Sequence, residues 1–314
     1  MPTAESSTSA NSTSRASASL LPTLQAIRGT VARELGVTLY LWQCEAILKQ
    51  LLGHHVLVIA ATGQGKTIPF FATLLFQLSL ILIIITPLNL LGKQQQDKLK
   101  SLGIPAIALN HQTATEEAIK VSGYLAGHVA KANLYIKTLH LNRVIILSPE
   151  LALNSASMLR FWEKLRNMSS HVRLVIDEAH LMVLWSSFRR PYENLQILKH
   201  LLPPRTTYYL TSATLPDNDF TTILDNLALL KSHLKILHRS NDRFNLSYIV
   251  RPLTYSKKSK ADLLFIFPDS LHPPQLPQPP PPFIIYFQSK SEAESTTKSL
   301  KARVSPCRFS VSIL

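Results

Sequence analysis

Between Val56 and Thr67 the chain reads VLVIAATGQGKT, an apolar run delivered straight into a turn that carries two glycines, a lysine and a threonine. The run predicts a strand. The glycines after it let backbone N–H groups wrap phosphates at the start of a helix. Lys66 then stands where the β- and γ-phosphates would lie, and the Thr67 hydroxyl where a Mg²⁺ ion would. Thr62, Gly63, Gln64, Gly65, Lys66 and Thr67 form the candidate nucleotide-binding segment, with ATP and Mg²⁺ as the expected cofactors. Ala60 occupies the first position of the general pattern, where Gly is usual. The alternative is a glycine-rich turn that only joins strand to helix.

From about residue 23 short β-branched runs alternate with longer amphipathic ones, the pattern of βα units covering a parallel sheet. Strands are expected at Val56–Ala60, Leu82–Thr86, Val144–Ser148, Leu174–Asp177, Tyr208–Ser212 and Leu234–Leu237. Ligands of such sheets gather at the carboxyl ends of the strands, so the residues just after each run are the ones to inspect. LVIDEAH places Asp177 and Glu178 at one of these ends, about a hundred residues after the phosphate loop. Asp177 suits Mg²⁺, and Glu178 suits the attacking water in an in-line displacement at the γ-phosphate. His180 would report the nucleotide state to its neighbours. Outside such a context, DEAH would more often be an exposed helix start.

A chain of 314 residues that is 46% hydrophobic can bury one large core or two ordinary ones. Its formal charge of +14 favours a polyanionic partner, nucleic acid or an anionic membrane surface. Leu74–Leu91 is apolar enough to suggest a membrane span, but Gln77, Ser79, Pro87 and Asn89 interrupt it. It reads better as a buried helix end followed by a central strand, and no membrane partner is expected. Cys44 and Cys307 lie outside any metal-ligand spacing, consistent with a reducing compartment. Residues 1–22, rich in Ser, Thr and Ala with Glu5 and Arg15, read as a disordered leader; a mitochondrial presequence would usually carry more Arg and no Glu. Pro268–Pro282 reads as an extended linker. After it, FIIYF is expected to be a strand and SEAESTTKSLKARV a polar helix.

GQGKT, DEAH and Ser212-Ala213-Thr214 in LTSATLP, in that order, resemble motifs I, II and III of superfamily 2 helicases. Finer matches over roughly residues 35–300 resemble the RecQ family. Gln43 in LWQCEAI resembles the family's adenine-reading glutamine. ITPLNLLGKQQQDKL and LSPELAL resemble motifs Ia and Ib, which line the single-strand path. DEAHLMVLWSSFRRPYENL resembles the aromatic-rich loop, with Trp185, Phe188, Arg189 and Tyr192 at matching places; the plainer reading puts Trp185 and Phe188 in the core. SNDRFNLSYIVRPL and FIIYFQSKSEAE resemble the segment closing the first domain and motif IV.

The resemblance implies an α/β architecture, a RecA-like parallel sheet with helices on both faces over residues 23–252. A linker (253–282) and an incomplete second RecA-like domain (283–314) follow. It also implies a nuclear, ATP-dependent 3′ to 5′ DNA helicase acting in repair or recombination on single-stranded or tailed DNA. In that scheme Lys66, Asp177 and Glu178 serve catalysis, and His180, Ser212 and Thr214 couple hydrolysis to domain movement. Trp185, Phe188, Arg189 and Tyr192 meet DNA.

The chain departs from the family in two respects. Tyr40 stands where RecQ proteins carry an arginine three places before the glutamine. Nothing after Leu300 resembles motifs V and VI, so the arginine finger is expected from a partner or a further C-terminal half. A truncated, non-motor nucleic-acid- and ATP-binding relative is one alternative. An RNA helicase of the DEAD/DEAH type is another, since the choice of sugar rests on 2′-OH contacts. His54 and His55, adjacent in an extended segment, point to opposite sides and read as surface turn residues. Lys257, Lys258 and Lys260 suit either phosphate or a solvated linker.

Overall fold

The computed structural model describes residues 21–110, 143–154, 156–166, 171–186, 190–242, 245–266 and 284–303. The chain divides into two compact units, Met1–Asp242 and Arg243–Leu314. Residues 1–20 of the leader, the Pro-rich segment, Phe188, Arg189 and Cys307 lie outside the described residues.

The apolar runs of the first unit become strands β1 (His55–Ile59), β2 (Leu80–Ile85), β3 (Ala106–Ala108), β4 (Val144–Leu147), β5 (His171–Ile176), β6 (Thr207–Ser212) and β7 (Leu234–His238). They form one sheet in the order β3-β4-β2-β5-β6-β1-β7, and every neighbouring pair is parallel. A parallel sheet is covered on both faces, so its central strands are apolar throughout. In β2 all six residues are buried. Ile81, Ile83 and Ile85 join one core, whereas Leu80, Leu82 and Ile84 join the other. Each such side chain contributes roughly 1.5–3 kcal/mol relative to exposure.

One core is closed by α1 (Leu24–Leu35), α2 (Leu41–Leu51), α3 (Ile68–Ala72) and α4 (Asn89–Ser101), through Ile27, Val31, Trp42, Ile47, Phe70 and Leu99. The other is closed by α5 (Pro149–Asn154), α6 (Ala156–Arg166), α7 (Leu181–Leu184), α8 (Arg190–Glu193), α9 (Leu198–Leu201) and α10 (Asp217–Leu227). The apolar stretch from Leu74 thus resolves into the end of a 3₁₀ turn (Thr73–Leu75) and the central strand β2. Among the described residues, no helix is long and apolar enough to cross a membrane.

In the second unit, Lys290–Arg303 forms the expected polar helix, α11. The expected FIIYF strand does not form: the described residues 284–287 are irregular, with Ile284 and Tyr286 exposed. A strand needs a neighbour for its backbone groups, and an apolar run alone does not supply one. The segment after Asp242, read from the sequence as the close of the first domain, groups with this second unit. Lys260 is tied down there, 2.6 Å from Glu292 and 5.7 Å from the centre of the Phe287 ring.

Candidate functional site

Sheet order brings the three sequence signals together. β6 lies between β1 and β5, so the carboxyl ends carrying the phosphate loop, Ser212-Ala213-Thr214 and DEAH are neighbours. The backbone joins them directly: Ala60 N–H donates to Ser212 O (3.1 Å), Ala179 N–H to Thr211 O (2.7 Å) and Asp177 N–H to Ile85 O (3.1 Å).

The phosphate loop turns through Gly63 (φ 84°) and Gly65 (φ 75°), a region that strains any side-chain-bearing residue. α3 follows, with Thr67 at its N-cap and Pro69 in its first turn. Thr67 makes no side-chain cap bond, which leaves its hydroxyl for another oxygen or a cation. Lys66 is buried, its ammonium donating to Ala60 O (2.9 Å) and Ala61 O (3.3 Å). The Tyr209 hydroxyl donates to Lys66 O from β6 (3.2 Å), fastening the loop from below.

Gln43, which resembles the family's adenine-reading glutamine, is buried, and its amide is bonded inside the protein. Oε1 accepts from Tyr40 N–H (2.8 Å), and Nε2 donates to Gly65 O (3.1 Å) and, more weakly, to Gln64 O (3.4 Å). Gln43 therefore braces the phosphate loop against the start of α2. A Cβ on Gly65 would meet Gln43 Nε2 at 2.9 Å and Ile68 Cδ1 at 3.3 Å. Gly65→Ala should cost about 1–2 kcal/mol from backbone strain alone and weaken nucleotide binding about tenfold or more, each 1.4 kcal/mol being a factor of ten. Titration with a fluorescent ATP analogue checks this, and wild-type affinity would remove the brace from the account.

Asp177 and Lys66 are both buried, and Asp177 is held at both oxygens. Thr211 Oγ1 donates to Oδ1 (2.7 Å) and Gln95 Nε2 to Oδ2 (2.7 Å). Glu178 follows at φ 54°, a left-handed backbone that only a well-braced turn keeps. Burial, then the charge of Asp177, push its carboxyl above the ordinary value, and Lys66 and His180 pull the other way. His180 Nδ1 lies 2.9 Å from Ser212 Oγ and 3.4 Å from Glu178 Oε2. Ser212 gives its one proton to Thr214 O, so His180 is the donor toward Ser212 and carries its hydrogen on Nδ1. His180, Ser212 and Thr214 thus form one hydrogen-bonded chain across adjacent strand ends, with the Glu178 carboxylate beside it.

The oxygens present suit a hard divalent cation: the Thr67 hydroxyl, the Asp177 carboxylate, and the buried Gln95 Oε1 and Glu178 Oε2, neither of which has a hydrogen-bond partner. Sequence reasoning missed Thr211, Tyr209 and Gln95. The first two lie on the strand leading into Ser212, where alternation would have shown them on one face. Gln95 carried no local signal.

Of the four residues read with the DNA contacts, Phe188 and Arg189 lie outside the described residues. Trp185 is half-buried, and Tyr192 is only 1% exposed, edge-on to Trp185 with centroids 5.9 Å apart. A ring so buried offers no face to a base, so Tyr192 belongs to the core and not to a DNA contact. His55 is also engaged internally: Nδ1 accepts from Tyr208 N–H (3.1 Å).

The DEAD/DEAH box helicase family model matches residues 40–223. The RecQ-like DNA helicase BLM of Xenopus laevis is 30% identical over 260 residues, covering 82% of this chain and 17% of its own length. The ATP-dependent DNA helicase RecQ of Haemophilus influenzae is 30% identical over 263 residues, covering 82% of this chain and 37% of its own length. This chain therefore spans well under half the length of either relative. Among solved structures, the DUF1998 helicase MrfA bound to DNA and AMPPNP aligns with a TM-score of 0.49 at 15% identity, over 68% of this chain and 29% of that one.

Proposed function

The chain belongs to the DEAD/DEAH box helicase family and resembles its RecQ-like members, and on that premise we propose that it carries the ATP-binding part of a RecQ-type DNA helicase. In this reading Mg-ATP hydrolysis drives 3′ to 5′ unwinding in nuclear repair or recombination. The observation that supports it best is the meeting of Lys66, Asp177, Glu178 and the His180–Ser212 pair at adjacent strand ends.

Lys66 would leave the Ala60 and Ala61 carbonyls for the β- and γ-phosphates. Thr67 and Asp177 would hold Mg²⁺, which when bound offsets the negative charge of the phosphate oxygens. Glu178 would orient the attacking water and accept its proton. Through His180, that change of charge would reach Ser212 and Thr214. Trp185, Phe188 and Arg189 would meet single-stranded DNA, helped by the chain's formal charge of +14.

The test is ATP hydrolysis by the purified chain at low salt, with and without single-stranded DNA, beside Lys66→Ala. Turnover raised by DNA, with nucleotide binding lost in the variant, is the expected result. Unchanged nucleotide affinity in Lys66→Ala would remove the phosphate-loop assignment. A second, binding-only reading is favoured by one observation: the described residues of the second unit contain no strand. Nucleotide binding without turnover would select it.

A further inference from the structure

Gln95 lies within α4, in the stretch whose sequence resembles motif Ia, and reaches a carboxylate 82 positions away in the chain. An ionised carboxylate only accepts hydrogen bonds, so the end of the amide facing Asp177 is the nitrogen. That assignment leaves Gln95 Oε1 buried and without a partner. Thr86 Oγ1, just past β2 and next to the strand that delivers Asp177, is buried and unpartnered as well. A buried acceptor on the side chain that holds Asp177 and a buried hydroxyl at the end of the neighbouring strand, both unsatisfied, are the usual marks of a place where water or a hydrated ion belongs.

The reach of Gln95 is set by packing. Gly92, three residues earlier on α4, lets the helix approach so closely that a Cβ there would meet Ile146 Cγ2 and Thr86 Cγ2, each at 3.3 Å. Leu99 anchors the following turn in the core. The helix is thereby held against the strand ends, and its Gln95 side chain spans the remaining distance to Asp177.

We propose that Gln95 is a positioning residue for the metal–nucleotide site: its nitrogen holds Asp177 in place, and its Oε1 accepts a hydrogen bond from a water on the divalent cation that Asp177 serves. The inference rests on the reading of this pole as a Mg-ATP site. It gives α4 a role at the cation, apart from any single-strand path.

The experiment titrates the full chain with a fluorescent ATP analogue (mant-ATP) in Mg²⁺ and in EDTA, using wild type, Gln95→Met and Gln95→Asn. Methionine matches the shape without polarity, and asparagine is one methylene short of Asp177. Both variants should keep the wild-type affinity in EDTA, yet lose about tenfold of the gain in affinity that Mg²⁺ confers. A magnesium gain equal to wild type in both variants overturns the inference and leaves the nucleotide-site reading intact. A wild type that binds nucleotide in neither buffer overturns both. If one variant does not fold, the other decides.

Discussion

Replacing Glu178 by glutamine should lower ATP turnover by about 10²–10⁴-fold while nucleotide affinity stays near wild type. Glutamine keeps the size and reach of the side chain but accepts no proton from the attacking water. Both residues share the left-handed backbone at this position, so its strain cancels in the comparison. The pH dependence follows from the raised carboxyl of Glu178, caused first by burial and then by Asp177. Only the ionised form acts as a base. A carboxyl whose folded pKa is raised favours the fold below its unfolded value and loses that advantage as pH rises through the folded value. At neutral pH the nucleotide-free Glu178→Gln protein should therefore melt above wild type, with the gap closing as pH falls through the raised folded value toward 4.5. Thermal melts across pH 4–8 (roughly the range over which carboxyl and histidine groups titrate) check this. A variant that turns over ATP at the wild-type rate would remove Glu178 from the chemistry.

Replacing Arg173 by alanine should destabilise the first unit by about 3–5 kcal/mol, combining a cavity with stranded hydrogen-bonding partners. Arg173 is 2% exposed in β5, and no carboxylate within ion-pair distance is found for it among the described residues. Its guanidinium donates to Gln50 O at the end of α2 (2.8 Å), to Thr73 Oγ1 in the 3₁₀ turn (2.9 Å) and to Thr207 Oγ1 at the start of β6 (3.1 Å). Burial pushes its pKa down to about 10, so the charge persists at neutral pH. One side chain thus ties a helix, a turn and two strands together. Arg173→Met should lose clearly less than Arg173→Ala, because it fills the volume and removes the charge together. Urea unfolding midpoints give the comparison. An alanine variant within about 1 kcal/mol of wild type would mean that water replaces the lost bonds.

Six of the seven strands were legible because parallel strands covered on both faces read as uninterrupted apolar runs. The exception, Ala106–Ala108, is three residues long at the sheet edge, too short to display a pattern. FIIYF misled in the opposite direction, since its composition suits a strand and the described residues supply it no neighbour. Tyr192 was read with the DNA contacts because aromatic identity is visible in sequence while the face of a four-residue helix is not. Gln43 was legible as a residue of the nucleotide site, but its bonds to the loop carbonyls were not.

The sequence by itself determined the local chemistry: a strand running into glycines, a lysine and a threonine, a second strand ending in two acids, and the βα rhythm that implies a parallel sheet. Backbone preference and hydrophobic period act over a few residues, so these features need no knowledge of distant chain. Tertiary structure alone decided which strand ends became neighbours. Placing β6 between β1 and β5 lets Thr211 hold Asp177 and lets His180 meet Ser212, and placing β2 beside β5 brings α4 and its Gln95 to the same carboxylate. Those bonds join residues between 32 and 82 positions apart, and no local preference encodes contacts of that range. They arise from burying both faces of one sheet, which sets the strand order and with it the company each loop keeps.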